Sequence, residues 1–132
     1  MHYNTKLDPE LEELGRKIIH AAYLVHKNLG PGLLERIYEV CLCHELKKMG
    51  VFTERQVYLP IIYDGIRFDE GFKLDVLVEK KIICELKAQE TYQPVWSAQI
   101  ISHLHLTDLS LGYLINFNVP VIKKGIKRFI NT

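Results

Sequence analysis

The chain has 132 residues, 48% hydrophobic and 25% charged, with a formal net charge of +1. That balance suits one globular domain over residues 1–132 and excludes a disordered or collagenous chain. No apolar run nears the roughly 18 residues of a membrane span, and Met1-His2-Tyr3-Asn4 opens no basic-then-apolar signal; the expectation is therefore a cytoplasmic protein with no membrane partner.

A first helix is predicted from about Pro9 to Leu29, with Asp8 as cap and Pro9 at the first helical position. Leu11, Leu14, Ile18, Ala21, Ala22, Val25 and Leu29 keep its apolar period, and Gly30-Pro31-Gly32 breaks it. A second helix follows from about Leu33 to Met49, its stripe being Leu34, Ile37, Tyr38, Cys41, Leu42, Leu46 and Met49, with Gly50 as the stop. Glu35 lies in its first turn, where periodicity alone reads it as a complement to the helix dipole. Cys41, Cys43 and Cys84 are odd in number and lack metal-motif spacing. Cys41 and Cys43 point to different helix faces, so free thiols in a reducing compartment are preferred over a zinc or iron–sulfur site.

Strands come next. Thr53 to Leu59 alternates, Pro60 to Tyr63 continues or kinks, and Asp64-Gly65 is a hairpin turn. Ile66 to Phe68 returns and Phe72 to Val78 carries Asp75. Glu79-Lys80-Lys81 turns the chain into Ile82 to Lys87, which carries Glu85 and Lys87 on one face. The apolar neighbours Leu74, Val76, Leu77, Val78, Ile82, Ile83, Cys84 and Leu86 imply burial on both faces, so the charges must pair or coordinate. Two acids and a lysine gathered by a hairpin suit a magnesium-dependent phosphodiesterase. They also suit a purely structural ion-pair network at a sheet end.

Pro94 opens a third helix to about Leu106. Val95, Ala98, Ile101 (or Ile100) and Leu104 are expected against the sheet, while Gln99 and His103, four apart, share a face. Strands from about Leu111 to Phe117 and Ile122 to Phe129 close the chain. This order predicts an α/β fold with a central mixed β-sheet flanked by α-helices. Lys123, Lys124, Lys127 and Arg128 form a basic C-terminal segment, readable as a solvated edge or as a phosphate contact.

Gly32-Leu33-Leu34-Glu35-Arg36-Ile37-Tyr38 resembles the motif that names the GxxExxY family. Asp75, Glu85-Leu86-Lys87, Gln99, Gly112-Tyr113-Leu114-Ile115-Asn116-Phe117 and Lys124-Gly125-Ile126 resemble it in order and spacing, over about Leu11 to Asn131. That family is assigned to the PD-(D/E)xK nuclease superfamily, whose fold is restriction-endonuclease-like. The resemblance implies that Asp75 and Glu85 are metal ligands, Lys87 the catalytic lysine, Glu35 a further metal-holding acid and Gln99 a polar site residue. The motif's proline is absent, since Leu74 precedes Asp75, and His103 stands where many relatives carry tyrosine. His103 enters as an accessory residue at the substrate side, together with the basic segment. The implied cofactor is Mg2+, with Mn2+ able to stand in, and the Leu86 carbonyl is a further candidate ligand. The implied partner is nucleic acid, DNA ahead of RNA, and a two-fold homodimer would let two sites cut both strands. The competing reading is a non-catalytic module that keeps the fold and binds nucleic acid or protein.

Overall fold

The computed structural model describes residues 7–131. Helix α1 (Pro9–Leu29) is capped by the Asp8 carboxylate, which accepts the Glu10 N–H, and buries Gly15, Ile18, Ala21, Ala22, Val25 and His26. Helix α2 (Glu35–Lys48) starts later than its apolar pattern suggests. Leu34 precedes the helix and is 76% exposed, Ile37 is also exposed, and the buried positions are Tyr38, Glu39, Leu42 and Leu46.

Strands β1 (Thr53–Tyr63) and β2 (Ile66–Val78) form one long hairpin. Asp64 and Gly65 close it with φ of 50° and 80°, the left-handed pair that suits the twist of the flanking strands. The register slips between Leu59 and Ile61, where Gly71 lies so close to Ile61 that a Cβ there would sit 2.6 Å from its backbone nitrogen. The segments expected as Ile66–Phe68 and Phe72–Val78 are thus one strand running through an irregularity. Strand β3 (Ile82–Lys87) follows a short turn, helix α3 (Pro94–Thr107) crosses over, and β4 (Leu111–Asn116) lies parallel to β3. The predicted last strand is shorter at its start: Ile122–Gly125 is a 3-10 turn, and β5 is Ile126–Ile130. Gly125 explains the tight turn, since a Cβ there would collide with the Asn116 carbonyl.

The sheet order is β1-β2-β3-β4-β5, antiparallel except for β3–β4. Helices α1 and α2 cover one face over Val76, Val78, Ile82, Cys84, Leu86, Tyr113 and Ile115, and α3 covers the other over Leu74, Ile83 and Leu114. Burying each such Ile or Leu contributes about 1.5–3 kcal/mol. Helix α3 meets the sheet through Trp96, Ile100 and Leu104; Leu104 and the alternative Ile100 match the expectation, whereas Val95, Ala98 and Ile101 face outward and Trp96 takes their place. Ser97, Gln99, Ser102, His103 and His105 are scattered around α3 among its apolar residues, so periodicity offers little contrast with which to choose a face. The expected mixed sheet flanked by helices is the architecture observed.

Candidate active site

The β2–β3 ladder runs from Val78↔Ile82 to Val76↔Cys84. One step beyond, side chains take over the main-chain bonding. Asp75 Oδ2 accepts the Leu86 N–H at 2.9 Å, and Glu85 Oε2 accepts the Asp75 N–H at 3.4 Å. Each acid is therefore held by the opposite strand, and the pair is 7% and 5% exposed. Burial pushes the Asp75 carboxyl above its ordinary range, and the charge on Glu85 adds to the rise. The Leu86 N–H, then Lys73 and Lys87, pull it back. Lys73 Nζ stands 3.7 Å from Asp75 Oδ1.

A change of strand phase accompanies this opening. Phe72 and Leu74 pack under α3, while Val76 and Val78 pack under α1 and α2, so simple alternation fails at Asp75. On β1, Gln56 lies between Arg55↔Val76 and Val57↔Leu74, opposite Asp75, with a φ of 54°. A left-handed non-glycine residue costs roughly 1–2 kcal/mol, which the surrounding contacts must offset. Gln56 Nε2 donates to Glu39 Oε1 at 2.7 Å, and its Oε1 accepts from Lys73 Nζ at 2.8 Å. Arg55 Nε donates to the other Glu39 oxygen at 2.8 Å. A polar network thus runs from α2 across β1 to Asp75.

From the α3 side, Gln99 Oε1 accepts from Lys87 Nζ at 3.4 Å, and the same ammonium lies 5.5 Å from the Trp96 ring centroid. His103 Nδ1 is 3.6 Å from Glu85 Oε2 and buried without a hydrogen-bond partner, its ring 5.0 Å from that of Phe72. Gln99 and His103 share a face as expected, and that face addresses Lys87 and Glu85.

Glu35 joins from α2. Burial raises its pKa first, then the nearby charge of Asp75, with Lys87 and Lys73 opposing. Its place is fixed by Tyr38, one turn further along the helix. The Tyr38 hydroxyl donates to the Gly30 carbonyl at 2.6 Å and accepts the Leu33 N–H at 3.0 Å. Its ring stacks on Phe117 at 4.5 Å and 4°. Gly32, at φ 98°, makes the turn that returns the chain to this hydroxyl. A cavity of about 430 Å³ lies beside Glu35, lined by Arg36, Glu39, Arg55 and Gln56.

The C-terminal cations divide between the faces of the sheet. Arg128 pairs with Glu12 of α1 at 2.7 Å, and Lys123 borders a groove along α1. Lys124 and Lys127 instead line a cavity with Tyr92 and Trp96 on the α3 side. Lys73, Glu39, Gln56 and Arg55 escaped the sequence reading. Lys73 lies two before Asp75, and Glu39 four after Glu35, spacings that offered a signal. All three cysteines are free thiols, and burial raises the Cys84 pKa well above normal.

Among the described residues no group of three His, Cys, Asp or Glu side chains is gathered closely enough to hold a metal ion. The Asp75–Glu85 pair nevertheless offers hard oxygen donors, which fit a cation that retains water ligands. A family model described as the PD-(D/E)XK nuclease superfamily matches residues 12–129. No curated protein and no solved structure matches the chain.

Proposed function

The chain belongs to the PD-(D/E)XK nuclease superfamily, and on that premise we propose that it is a single nuclease-like domain of the GxxExxY branch that hydrolyses phosphodiester bonds of DNA. The observation that carries this reading is the reciprocal capture of Asp75 and Glu85 across the opening of β2 and β3, with Lys87 at the end of the same strand as Glu85. The two carboxylates are buried together, each bonded to the opposite strand, and burial and the charge on Glu85 raise the Asp75 pKa even with Lys73 3.7 Å away.

Asp75 and Glu85, with the Leu86 carbonyl, would hold Mg2+ or Mn2+, with Glu35 reaching it through water; when bound, the ion supplies Lewis acidity and a water of lowered pKa. Lys87 offsets the negative charge that grows on the phosphoryl oxygens. Gln99 accepts a hydrogen bond from the Lys87 ammonium and so sets its direction. His103 backs Glu85 from α3 and keeps water from that side of the carboxylate. The raised pKa of Glu35 suits a group that takes up a proton near the site. No helix among the described residues is long and apolar enough to cross a membrane, and a homodimer would carry two such sites.

The test is cleavage of labelled DNA and RNA with Mg2+ or Mn2+ by the wild type, Asp75→Ala and Lys87→Ala. Each variant should lose roughly 100-fold or more in rate. Persistent cleavage by both would overturn the site. RNA cleavage without DNA cleavage would overturn the substrate. Neither cleavage nor metal binding by the wild type would leave the non-catalytic binding module.

A further inference from the structure

Tyr92 of the loop between β3 and α3 and Trp96 in the first turn of α3 form an aromatic pair that the proposed hydrolysis does not use. Tyr92 packs edge-on against Trp96, with centroids 5.6 Å apart at 83°. Lys127 Nζ lies 3.8 Å from the centre of the Tyr92 ring, and Lys87 Nζ 5.5 Å from that of Trp96. The two rings thus link a lysine of the candidate site to a lysine of β5. Between them and Lys124 is a cavity of about 280 Å³, with Leu114 in its wall and Glu90 on its border. The loop is not loosely hung. Asn116 is buried, its Oδ1 accepting the Gln89 N–H at 3.2 Å and its Nδ2 donating to the Gln89 carbonyl at 2.8 Å. Tyr92, 38% exposed, is also held through its hydroxyl by Ser97.

We propose that this cavity is a subsite for one unpaired nucleobase flanking the scissile phosphate, so that the substrate is single-stranded where it enters the site. The inference rests on the nuclease reading and specifies its substrate. An aromatic face beside lysines is the arrangement that holds single strands: the ring stacks a base and the cations follow the backbone. Lys127 now covers the Tyr92 face; an arriving phosphate draws the ammonium away and a base takes the ring. Glu90 disfavours phosphate at its own border and can accept from an exocyclic amine of the base. A base within a duplex is already stacked on both faces and must be unstacked before it can enter. The recess has room for one base.

Trp96 is the sole tryptophan of the chain, so its fluorescence reports on the cavity without any turnover. The full chain in EDTA is titrated with a single-stranded oligonucleotide, the same strand made abasic, and a blunt duplex of the same sequence. The intact single strand should quench Trp96 and bind about 10- to 100-fold more tightly than the abasic strand or the duplex. Tyr92→Ala, and Tyr92→Leu which keeps bulk but not the flat ring, should remove that advantage and leave abasic binding unchanged. Equal affinity for intact and abasic strands would overturn the subsite, as would an undiminished preference in both variants. Cleavage assays separate the two readings. A wild type that cuts but ignores the base disproves the subsite alone, and one that prefers the intact strand but never cuts disproves the hydrolytic role.

Discussion

Replacing Tyr38 by Phe isolates the hydroxyl that ties the Gly30–Leu33 turn to α2. The ring is fully buried and stacks on Phe117, and phenylalanine preserves that stack. What disappears are the bonds to the Gly30 carbonyl, 2.6 Å, and from the Leu33 N–H, 3.0 Å. At about 1 kcal/mol each, with a further penalty where a group stays dry, the gross loss is about 2–3 kcal/mol. The turn is partly exposed, so water recovers some of it. The expected net cost is about 1–2 kcal/mol, or roughly 4–8 °C in Tm. Urea unfolding should show a lower midpoint at unchanged m, because the same core is exposed. Tyr38→Leu, which also loses the stack, should cost more. Glu35 depends on this turn, so DNA cleavage by Tyr38→Phe should fall even at temperatures where it is fully folded. A Tyr38→Phe midpoint equal to wild type, with full cleavage, would refute the anchoring role of the hydroxyl.

Removing charge at Asp75 should act in the opposite sense on stability. Its folded pKa lies above its ordinary value through burial and then the charge on Glu85. The folded state therefore binds the proton more tightly, and the contribution of Asp75 is present at low pH and lost as pH rises through the raised value. Metal-free Asp75→Asn should be more stable than wild type at neutral pH and show less stabilisation on acidification, while losing cleavage; thermal melts across pH check this, and a destabilised variant at neutral pH would contradict it. Arg55→Ala leaves Glu39 buried with Gln56 as its remaining side-chain partner. The cost should be about 2 kcal/mol, below that of a fully buried pair because Arg55 itself is partly solvated. Adding Glu39→Gln should recover most of it in denaturant unfolding; a double variant no more stable than Arg55→Ala would argue against a stranded charge.

The sequence made the hairpin turn at Asp64-Gly65 and the acid-bearing strands legible because turn chemistry and apolar runs are local signals. The α2 stripe was misread at Leu34 and Ile37 for a related reason: the helix begins later than its apolar run, and the turn before it belongs to Tyr38. Ile122–Gly125 has strand-like composition, yet the close approach of Gly125 to Asn116 sets a tight turn that no local pattern encodes. Asp75 and Glu85 stood out by their apolar surroundings. Glu39, Arg55, Gln56 and Lys73 did not, since their meeting depends on α2 lying over β1 and on the left-handed backbone at Gln56. Pairings across 16 or 17 residues carry no periodicity to detect.

The irregular middle of the β1–β2 hairpin has a consequence for solubility. Strand β1 is a sheet edge of 11 residues and exposes Tyr58, Ile62 and Tyr63. A flat edge of that length and character invites another chain to add a strand, the route to fibrillar aggregates. Pro60 removes a backbone donor midway along it, and the register slip beside it bends the ribbon. The interruption divides the edge into segments too short and too differently twisted to template a continuous partner strand.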